Sequence, residues 1–165
     1  MPRRRHPALV PLSHEHRDAL GLAFRLHNPS PPGPGTAMTP ASTPQSRAAE
    51  TIAFFEESLR RHFRIEEDVV FPFLATHLPP RAAERALLAE LVRDHGRLAE
   101  LRDAVASATD ATALSSALTA FADLLEAHVR REERQLFDLF PGDASRDQVG
   151  VVAAAIRHAL GVRGE

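Results

Sequence analysis

The sequence predicts an all-α protein: an up-down-up-down antiparallel four-helix bundle with an additional C-terminal helix. Every periodic segment repeats its apolar residues at intervals of three and four rather than two, which is typical of amphipathic helices and not of strands. Four of these segments are long, and most of them are joined by short connections, which favours antiparallel neighbours. A chain of 165 residues, 44% hydrophobic and 25% charged, also has the size and composition of one soluble domain.

The predicted elements follow one another along the chain with few residues between them. The helices cover about residues 12–28, 45–76, 80–107, 111–139 and 144–161. The first four form the bundle, residues 12–140, which follows an N-terminal tail at residues 1–11. Residues 141–165 carry the fifth helix, which we expect to pack on the bundle, either outside it or across one end.

Prolines and one aspartate mark the ends of these helices. Pro72 and then Pro79-Pro80 close the second helix, and Pro80 suits the first turn of the third, where a missing N–H costs nothing. Asp110 is the predicted N-cap of the fourth helix, and Pro141-Gly142 stops it.

The connection between the first two helices is long and rich in proline. Residues 28–45 hold six of the 13 prolines in the chain, so this segment cannot join a helix or bury much apolar surface. We expect a mobile loop. We interpret it as a plain linker rather than a lid or a docking segment, because no side chain in it can do chemistry.

Composition excludes several classes of function. The chain has no Cys, so any metal must be held by His and carboxylates. The net charge is −2 and no basic face is visible, so nucleic acid is not an expected partner. Pro7, Pro11 and His14 interrupt the N-terminal apolar stretch, and no apolar run approaches ~20 residues, so we expect a cytoplasmic protein without a membrane partner.

Two ten-residue segments repeat the same pattern. HFRIEEDVVF at 62–71 and HVRREERQLF at 128–137 share His, Arg, two Glu and Phe at identical offsets. Each is preceded by a helix that carries a lone His next to an acid, Glu15-His16 and Asp94-His95. The chain therefore consists of two helical hairpins of one design, the first with an enlarged turn.

The phase of each helix places the polar residues of this repeat on the apolar face. A His–Glu pair one turn apart is weak evidence alone, because such pairs are common on solvated helices. However, the apolar stripe of the second helix runs through both, at Ile52, Phe55, Leu59, His62, Glu66, Val69 and Phe73. By the same phasing all four helices point a His inward, and two add a Glu one turn along the same face: His16, His62, Glu66, His95, His128 and Glu132.

Six buried polar side chains need partners. Each one left unpaired in a core costs ~1–3 kcal/mol, and the sum is comparable with the ~5–15 kcal/mol that stabilises a whole domain. Four imidazoles and two carboxylates at mid-bundle suit one or two first-row divalent metals, with two His per metal and each Glu able to bridge a pair. Six side chains do not fill two six-coordinate ions, so positions remain for oxo, hydroxo, water or a small diatomic ligand.

The order H…HxxxE…H…HxxxE, with EE followed by an apolar run and FP at residues 66–72, resembles the hemerythrin-like, or HHE cation-binding, domains. The resemblance covers about residues 12–140. It implies a non-haem di-iron centre, oxo- or hydroxo-bridged, with Zn or Mn as possible substitutes. Carried over position by position, its metal ligands are His16, His62, Glu66, His95, His128 and Glu132, with both glutamates as bridges.

One departure from the family bears on function. The oxygen carriers have a second His one turn from the third-helix ligand and usually an Asp in the last motif, whereas this chain has Leu91, Ala99 and Glu132 there. It is more similar to the iron-repair and sensing members. The resemblance thus implies binding of oxygen, nitric oxide or peroxide, or sensing or storage of iron, by a monomer or homodimer. The alternatives are a di-iron enzyme that turns over peroxide or nitric oxide, or a helical interaction module with adventitious metal.

Some assignments stay open at this level. His14 also has an acid four residues on, but it lies about 200° around the helix from His16, whose face is apolar. Glu67 and Glu133, each one residue past a proposed ligand, are expected at the surface, beside a ligand, or as an extra ligand. Glu15 and Asp94 either orient imidazoles or lie at the surface.

Overall fold

The structure, a computed structural model, describes residues 6–29, 43–77, 81–140 and 146–161. Within these ranges all regular secondary structure is helical and no strand occurs, as predicted. Most of the proline-rich loop, the Pro79-Pro80 pair and the Pro141-Gly142 stop lie outside the described residues. No helix in the described ranges combines the length and apolar character needed to cross a bilayer.

Five helices form, close to the predicted bounds. We label them α1 (Val10–His27), α2 (44–77), α3 (Ala82–Ser107), α4 (111–139) and α5 (Arg146–Ala159). Helix α2 contains two wide π turns, Phe55–Leu59 and Glu66–Val70. Helix α4 runs as an α-helix over Ala111–Arg131, passes through a π turn at Glu132–Leu136 and ends in a 3₁₀ turn at Phe137–Leu139.

Side-chain caps fix two of the helix starts. The Asp110 carboxylate accepts a hydrogen bond from the Ala113 N–H at 2.8 Å, which confirms it as the N-cap of α4. The Thr43 hydroxyl accepts from the Ser46 N–H at 3.1 Å in front of Pro44, which needs no donor at the first position of α2.

The N-terminal tail is shorter than predicted. A 3₁₀ turn, Pro7–Leu9, leads directly into α1, which begins at Val10 rather than near residue 12. Leu9 is fully buried, so residues 7–11 belong to the packed structure. Pro7 and Pro11 lie at first-turn positions, where a proline favours a helix start instead of preventing one.

Contacts across the helices show the antiparallel order. Arg25 of α1 pairs with Glu50 of α2, and Glu15, ten residues earlier, pairs with Arg61, eleven residues later. The same reversal links α2 with α3 and α1 with α4, in the pairs Glu56–Arg102, Glu67–His95, His27–Asp123 and Ser13–Glu133. Residues 108–110 alone join α3 to α4. The up-down-up-down bundle is confirmed.

Two apolar clusters fill the core, one toward each end of the bundle. One is built around Leu22, Phe55, Phe121 and Leu125. The other, around Leu12, Leu74 and Leu136, also takes in Leu9 and, from α5, Val152, Ala153 and Ile156. Helix α5 therefore covers one end of the bundle, against the Pro7–Leu9 turn and the Glu66–Val70 turn.

The π turns shift the apolar stripe of α2 relative to the prediction. Thr51, Val70 and Leu74 are fully buried, whereas the predicted Ile52, Val69 and Phe73 are only half-buried. Each π turn takes one more residue per turn than an α-helix, so the stripe moves by one position beyond it. The prediction was correct between the two turns, where His62 and Glu66 lie.

Pro72 does not close α2, because the helix continues to His77. A proline inside a helix crowds the carbonyl four residues before it, which here belongs to Asp68. Asp68 lies within the Glu66–Val70 π turn, whose wider geometry relieves that crowding.

Candidate metal centre

The six side chains that the sequence placed on the apolar faces converge at the middle of the bundle. All are buried, and the two glutamates are 0% exposed: His16, His62, Glu66, His95, His128 and Glu132. They lie between the two apolar clusters and form a single polar layer. Their inward placement is confirmed.

The layer divides into two groups of four ligand atoms. The α1–α2 group comprises the Nε2 atoms of His16 and His62 and one oxygen from each glutamate, and the α3–α4 group comprises those of His95 and His128 with the other two oxygens. The shortest nitrogen–oxygen distances are 3.2 Å for His62–Glu66, 3.1 Å for His16–Glu132, 3.3 Å for His95–Glu66 and 3.3 Å for His128–Glu132. Within each group all ligand atoms lie within 4.8 Å of one another.

Both glutamates belong to both groups. Glu66 directs Oε1 toward His62 and Oε2 toward His95, while Glu132 directs Oε2 toward His16 and Oε1 toward His128. A carboxylate with one oxygen at each of two sites has the arrangement of a bridging ligand. In each helix the π turn begins at this glutamate.

The local chemistry of the layer fits metal cations. Both oxygens of Glu66 and Glu132, and the Nε2 atoms of His95 and His128, are buried without a hydrogen-bond partner among the described residues. Ligand atoms bound at about 2.0–2.2 Å to one ion lie roughly 3 Å apart when their bonds are perpendicular, close to the spacing seen here. Two imidazoles and two carboxylate oxygens per group form a donor set that suits first-row divalent metals.

Proton affinities in the layer reflect the same crowding of charge. Burial would lower the pKa of His62, but the Glu66 charge and a hydrogen bond to Glu15 outweigh it and raise the pKa to about 10. Burial raises the pKa of Glu132 to about 7, and the charge of Glu66 adds to that shift. Burial acts in the same sense on Glu66, but His62 and His95 hold its pKa well below the usual range. These shifts favour a bound proton on His62 and, below about pH 7, on Glu132, two side chains that a cation would also use.

A second shell of carboxylates surrounds the four imidazoles. The Nδ1 of His62 lies 2.8 Å from Glu15, that of His95 2.6 Å from Glu67, that of His16 2.7 Å from Glu133, and that of His128 3.5 Å from Asp94. Where a carboxylate accepts from Nδ1, as at His16, His62 and His95, the imidazole turns Nε2 toward the centre and keeps its lone pair there for a metal. The structure therefore places all four acids beside imidazoles, an assignment that the sequence left open.

These four pairs form a closed ring around the bundle, which we call the carboxylate ring. Each helix holds the imidazole of the next one: α1 through Glu15, α2 through Glu67, α3 through Asp94 and α4, back to α1, through Glu133. In each helix the acid is the direct neighbour of a proposed metal ligand. The sequence signal for the ring was this adjacency.

The other histidines lie outside the layer. His14 is exposed, so the structure places His16 and not His14 at the centre. His27 faces Asp123 at 3.5 Å, and His77 is bonded to the Phe73 carbonyl at 2.8 Å. His6, predicted in the tail, accepts from the Ala8 N–H at 3.2 Å.

Phenylalanine rings cover two of the imidazoles. His95 lies against Phe63, with ring centroids 3.9 Å apart, and Phe71 stacks at 5.9 Å. Phe137, the repeat counterpart of Phe71, stacks on His16 at 5.2 Å. These rings keep the layer apolar in its surroundings and away from bulk water.

A small cavity adjoins the layer on one side. It has a volume of about 10 Å³, enough for one water-sized molecule, and its lining includes His16, His62 and His128 together with Ala19, Phe63 and Val129. The repeat explains its position. When the two hairpins are aligned, Ala19 of the first corresponds to Leu98 of the second, and Val129 of the second corresponds to Phe63 of the first. Phe63 lies over His95. The cavity adjoins the α1–α2 group because two smaller side chains stand there.

Comparisons with known proteins agree with this centre. A family model described as the hemerythrin HHE cation binding domain matches residues 8–140, a range that includes all six central side chains and all four acids of the carboxylate ring. The comparisons with curated proteins and with solved structures give no match.

Proposed function

The chain belongs to the hemerythrin HHE cation-binding family, and from this premise we propose that it is a non-haem di-iron protein that binds a small ligand, either oxygen, nitric oxide or peroxide, or that senses or stores iron. Its buried cluster of His and Glu side chains fits a metal-binding protein. The observation that supports two cations, rather than one, is the division of each glutamate between two groups of imidazoles.

Each cation has the same proposed ligands: two imidazoles and one oxygen from each of Glu66 and Glu132. His16 and His62 would hold the first cation, and His95 and His128 the second. Bound iron supplies redox chemistry and coordination positions that protein side chains do not fill. Four ligand atoms per ion leave two such positions in a six-coordinate centre.

The protein's own side chains hold and shield the centre. The carboxylate ring orients Nε2 of the imidazoles inward, and the two glutamates fix the spacing between the groups. Phe63, Phe71 and Phe137 exclude water from the faces of His95 and His16. Both functions favour a stable, selective centre.

The cavity beside the layer is an argument for a small exogenous ligand. Its size suits a water molecule or a similarly small ligand, and it borders both imidazoles of the α1–α2 group, His16 and His62, but only His128 of the α3–α4 group. We therefore propose that the exogenous ligand binds beside the α1–α2 group. The chain has no Tyr or Trp to take part in radical transfer, which favours binding or sensing over oxygenase chemistry.

Metal analysis tests this proposal. Protein produced with iron and purified without oxygen should contain about two Fe per chain, and its absorption spectrum should change on exposure to air. The double variant His62→Ala/His128→Ala should lose iron from both groups. The matched control is His14→Ala/His77→Ala, which removes two histidines outside the layer and should keep both ions. Full iron occupancy in the first double variant would overturn the ligand set.

A further inference from the structure

The carboxylate ring is not uniform, and its weakest pair lies between α3 and α4. Three acids approach the Nδ1 of their imidazole within 2.6–2.8 Å, whereas Asp94 stays 3.5 Å from His128. The Nδ1 of His128 is buried and has no hydrogen-bond partner among the described residues. Three imidazoles are therefore held at Nδ1 by a carboxylate within hydrogen-bond distance, and His128 is not.

Comparing the two hairpins shows why this pair is long. Glu15, the repeat counterpart of Asp94, divides its oxygens: Oε1 accepts from Arg61 at 2.6 Å, and Oε2 accepts from His62 at 2.8 Å. Asp94 is one methylene shorter, and the oxygen that faces His128 accepts from Arg131 at 2.5 Å. In the first hairpin the residue that corresponds to Arg131 is Ile65, whose side chain has no hydrogen-bond donor.

We infer that Asp94 is a weak positioning residue, held by Arg131 away from His128, and that the cation of the α3–α4 group is consequently released before the other. The inference rests on the proposed ligand set. Glu66 and Glu132 contribute equally to both groups, so the difference in release comes from the imidazoles. Loss of an outer partner from a metal-bound imidazole lowers metal affinity by roughly 10- to 100-fold.

Metal release tests the inference directly. Full-length protein is loaded with Co²⁺, and release to excess chelator is followed by visible absorption. The wild type should lose its two ions in two steps. Asp94→Glu, whose longer side chain reaches His128 as Glu15 reaches His62, should slow the fast step by about tenfold or more. The mirror variant Glu15→Asp should accelerate the slow step by a similar factor, and His128→Ala should abolish the fast one.

A second measurement needs no metal. In the metal-free protein, nitrogen NMR of the imidazoles should show slowly exchanging Nδ1–H signals for His16, His62 and His95 but not for His128. Asp94→Glu should add the fourth signal, a change that a purely structural role of Asp94 in packing would not produce. A protected His128 signal in the wild type, or a fast step unchanged in Asp94→Glu, would overturn the inference. Fewer than two Co²⁺ per wild-type chain would overturn the ligand set itself, and with it this inference.

Discussion

The α1–α2 group and the α3–α4 group contain the same ligand atoms in different surroundings. Over His95 of the second group, Phe63 lies 3.9 Å away between ring centroids. Over the first group, Val129 occupies the equivalent place and a cavity remains. The acids outside the imidazoles differ as well: Glu15 lies 2.8 Å from Nδ1 of His62 in the first group, whereas Asp94 lies 3.5 Å from Nδ1 of His128 in the second.

This comparison teaches how a repeated design acquires two roles. The ligand atoms are duplicated, so the two proposed cations would have equal donors. The neighbours are not duplicated. In the first group both imidazoles border the cavity and have a carboxylate bonded at Nδ1. In the second, Phe63 covers His95, while His128 borders the cavity and has no close carboxylate at Nδ1. In this interpretation the first position binds the exogenous ligand, and the second exchanges its cation more readily.

Removal of a shared glutamate should have the largest effect, since it removes a ligand from both groups at once. We expect Glu66→Ala to bind neither cation stably, as measured by metal analysis after desalting. Glu67→Ala is the matched control, because this neighbour is bonded to the Nδ1 of His95 at 2.6 Å and is not one of the six side chains of the layer. The control should retain both cations with roughly 10- to 100-fold weaker affinity at one position. If Glu66→Ala still bound two cations tightly, the two groups could not share Glu66 as a ligand.

Removal of one imidazole should affect one group. His16→Ala should lose the cation of the α1–α2 group and His95→Ala that of the α3–α4 group, so each variant should retain about one metal per chain. His14→Ala serves as control, because His14 is exposed and close in sequence to His16. If either of the first two variants lost both ions, the two positions would be interdependent rather than separable.

Exchanging the residues that cover the groups should exchange their accessibility. Val129→Phe should fill the cavity and weaken nitric oxide binding by about tenfold, or about 1.4 kcal/mol, while the metal content stays at two. Ala19→Leu, which copies Leu98, is a milder variant in case the larger ring overpacks the core. The reverse variant, Phe63→Val, should extend the cavity over His95, because Phe63 both lines the cavity and covers that ring. Nitric oxide titration followed by absorption measures both, and unchanged binding in the two filled variants would place the ligand elsewhere.

Protons would compete with the proposed cations for the side chains of the layer. Below pH 7, Glu132 and His62 carry protons that a cation must displace, and from pH 7 to about 10 only the His62 proton remains of these two. Raised pKa values keep these protons bound as the pH rises, so metal affinity should increase with pH. The expected slope is about tenfold per pH unit for each proton displaced. Calorimetry of Co²⁺ binding at pH 6, 7 and 8 in buffers of different ionisation enthalpy measures it; equal affinity at pH 6 and 8 would contradict the prediction.

Periodicity predicted the inner layer because a side chain on the apolar face of a helix has little choice of direction. All six side chains at the centre could be placed from the phases of four helices. The cavity also leaves a trace in the sequence, since aligning the repeats sets Val129 against Phe63. What the alignment cannot supply is the volume that remains after neighbouring side chains have packed.

The partners of the acids in the carboxylate ring and the positions of the π turns could not be predicted from the sequence, for different reasons. Glu67 and Glu133 point about 100° from the ligands beside them, so their partners depend on which helix lies next and at what rotation. Two of the three π turns in the described ranges begin at Glu66 and Glu132, and the one at Glu66 moves the following stripe of α2 by one residue. Sequence phase therefore failed at Val69 and Phe73 although it held at Glu66.

The ring has a consequence for how the protein assembles. Because His95 is held by Glu67 of the first hairpin and His16 by Glu133 of the second, no isolated hairpin contains a finished centre. The first hairpin holds three ligands of its own group and must obtain the fourth, Glu132, from α4. Metal affinity would thus be a cooperative property of the closed bundle, because the free energy of binding would be gained only when all four helices have met.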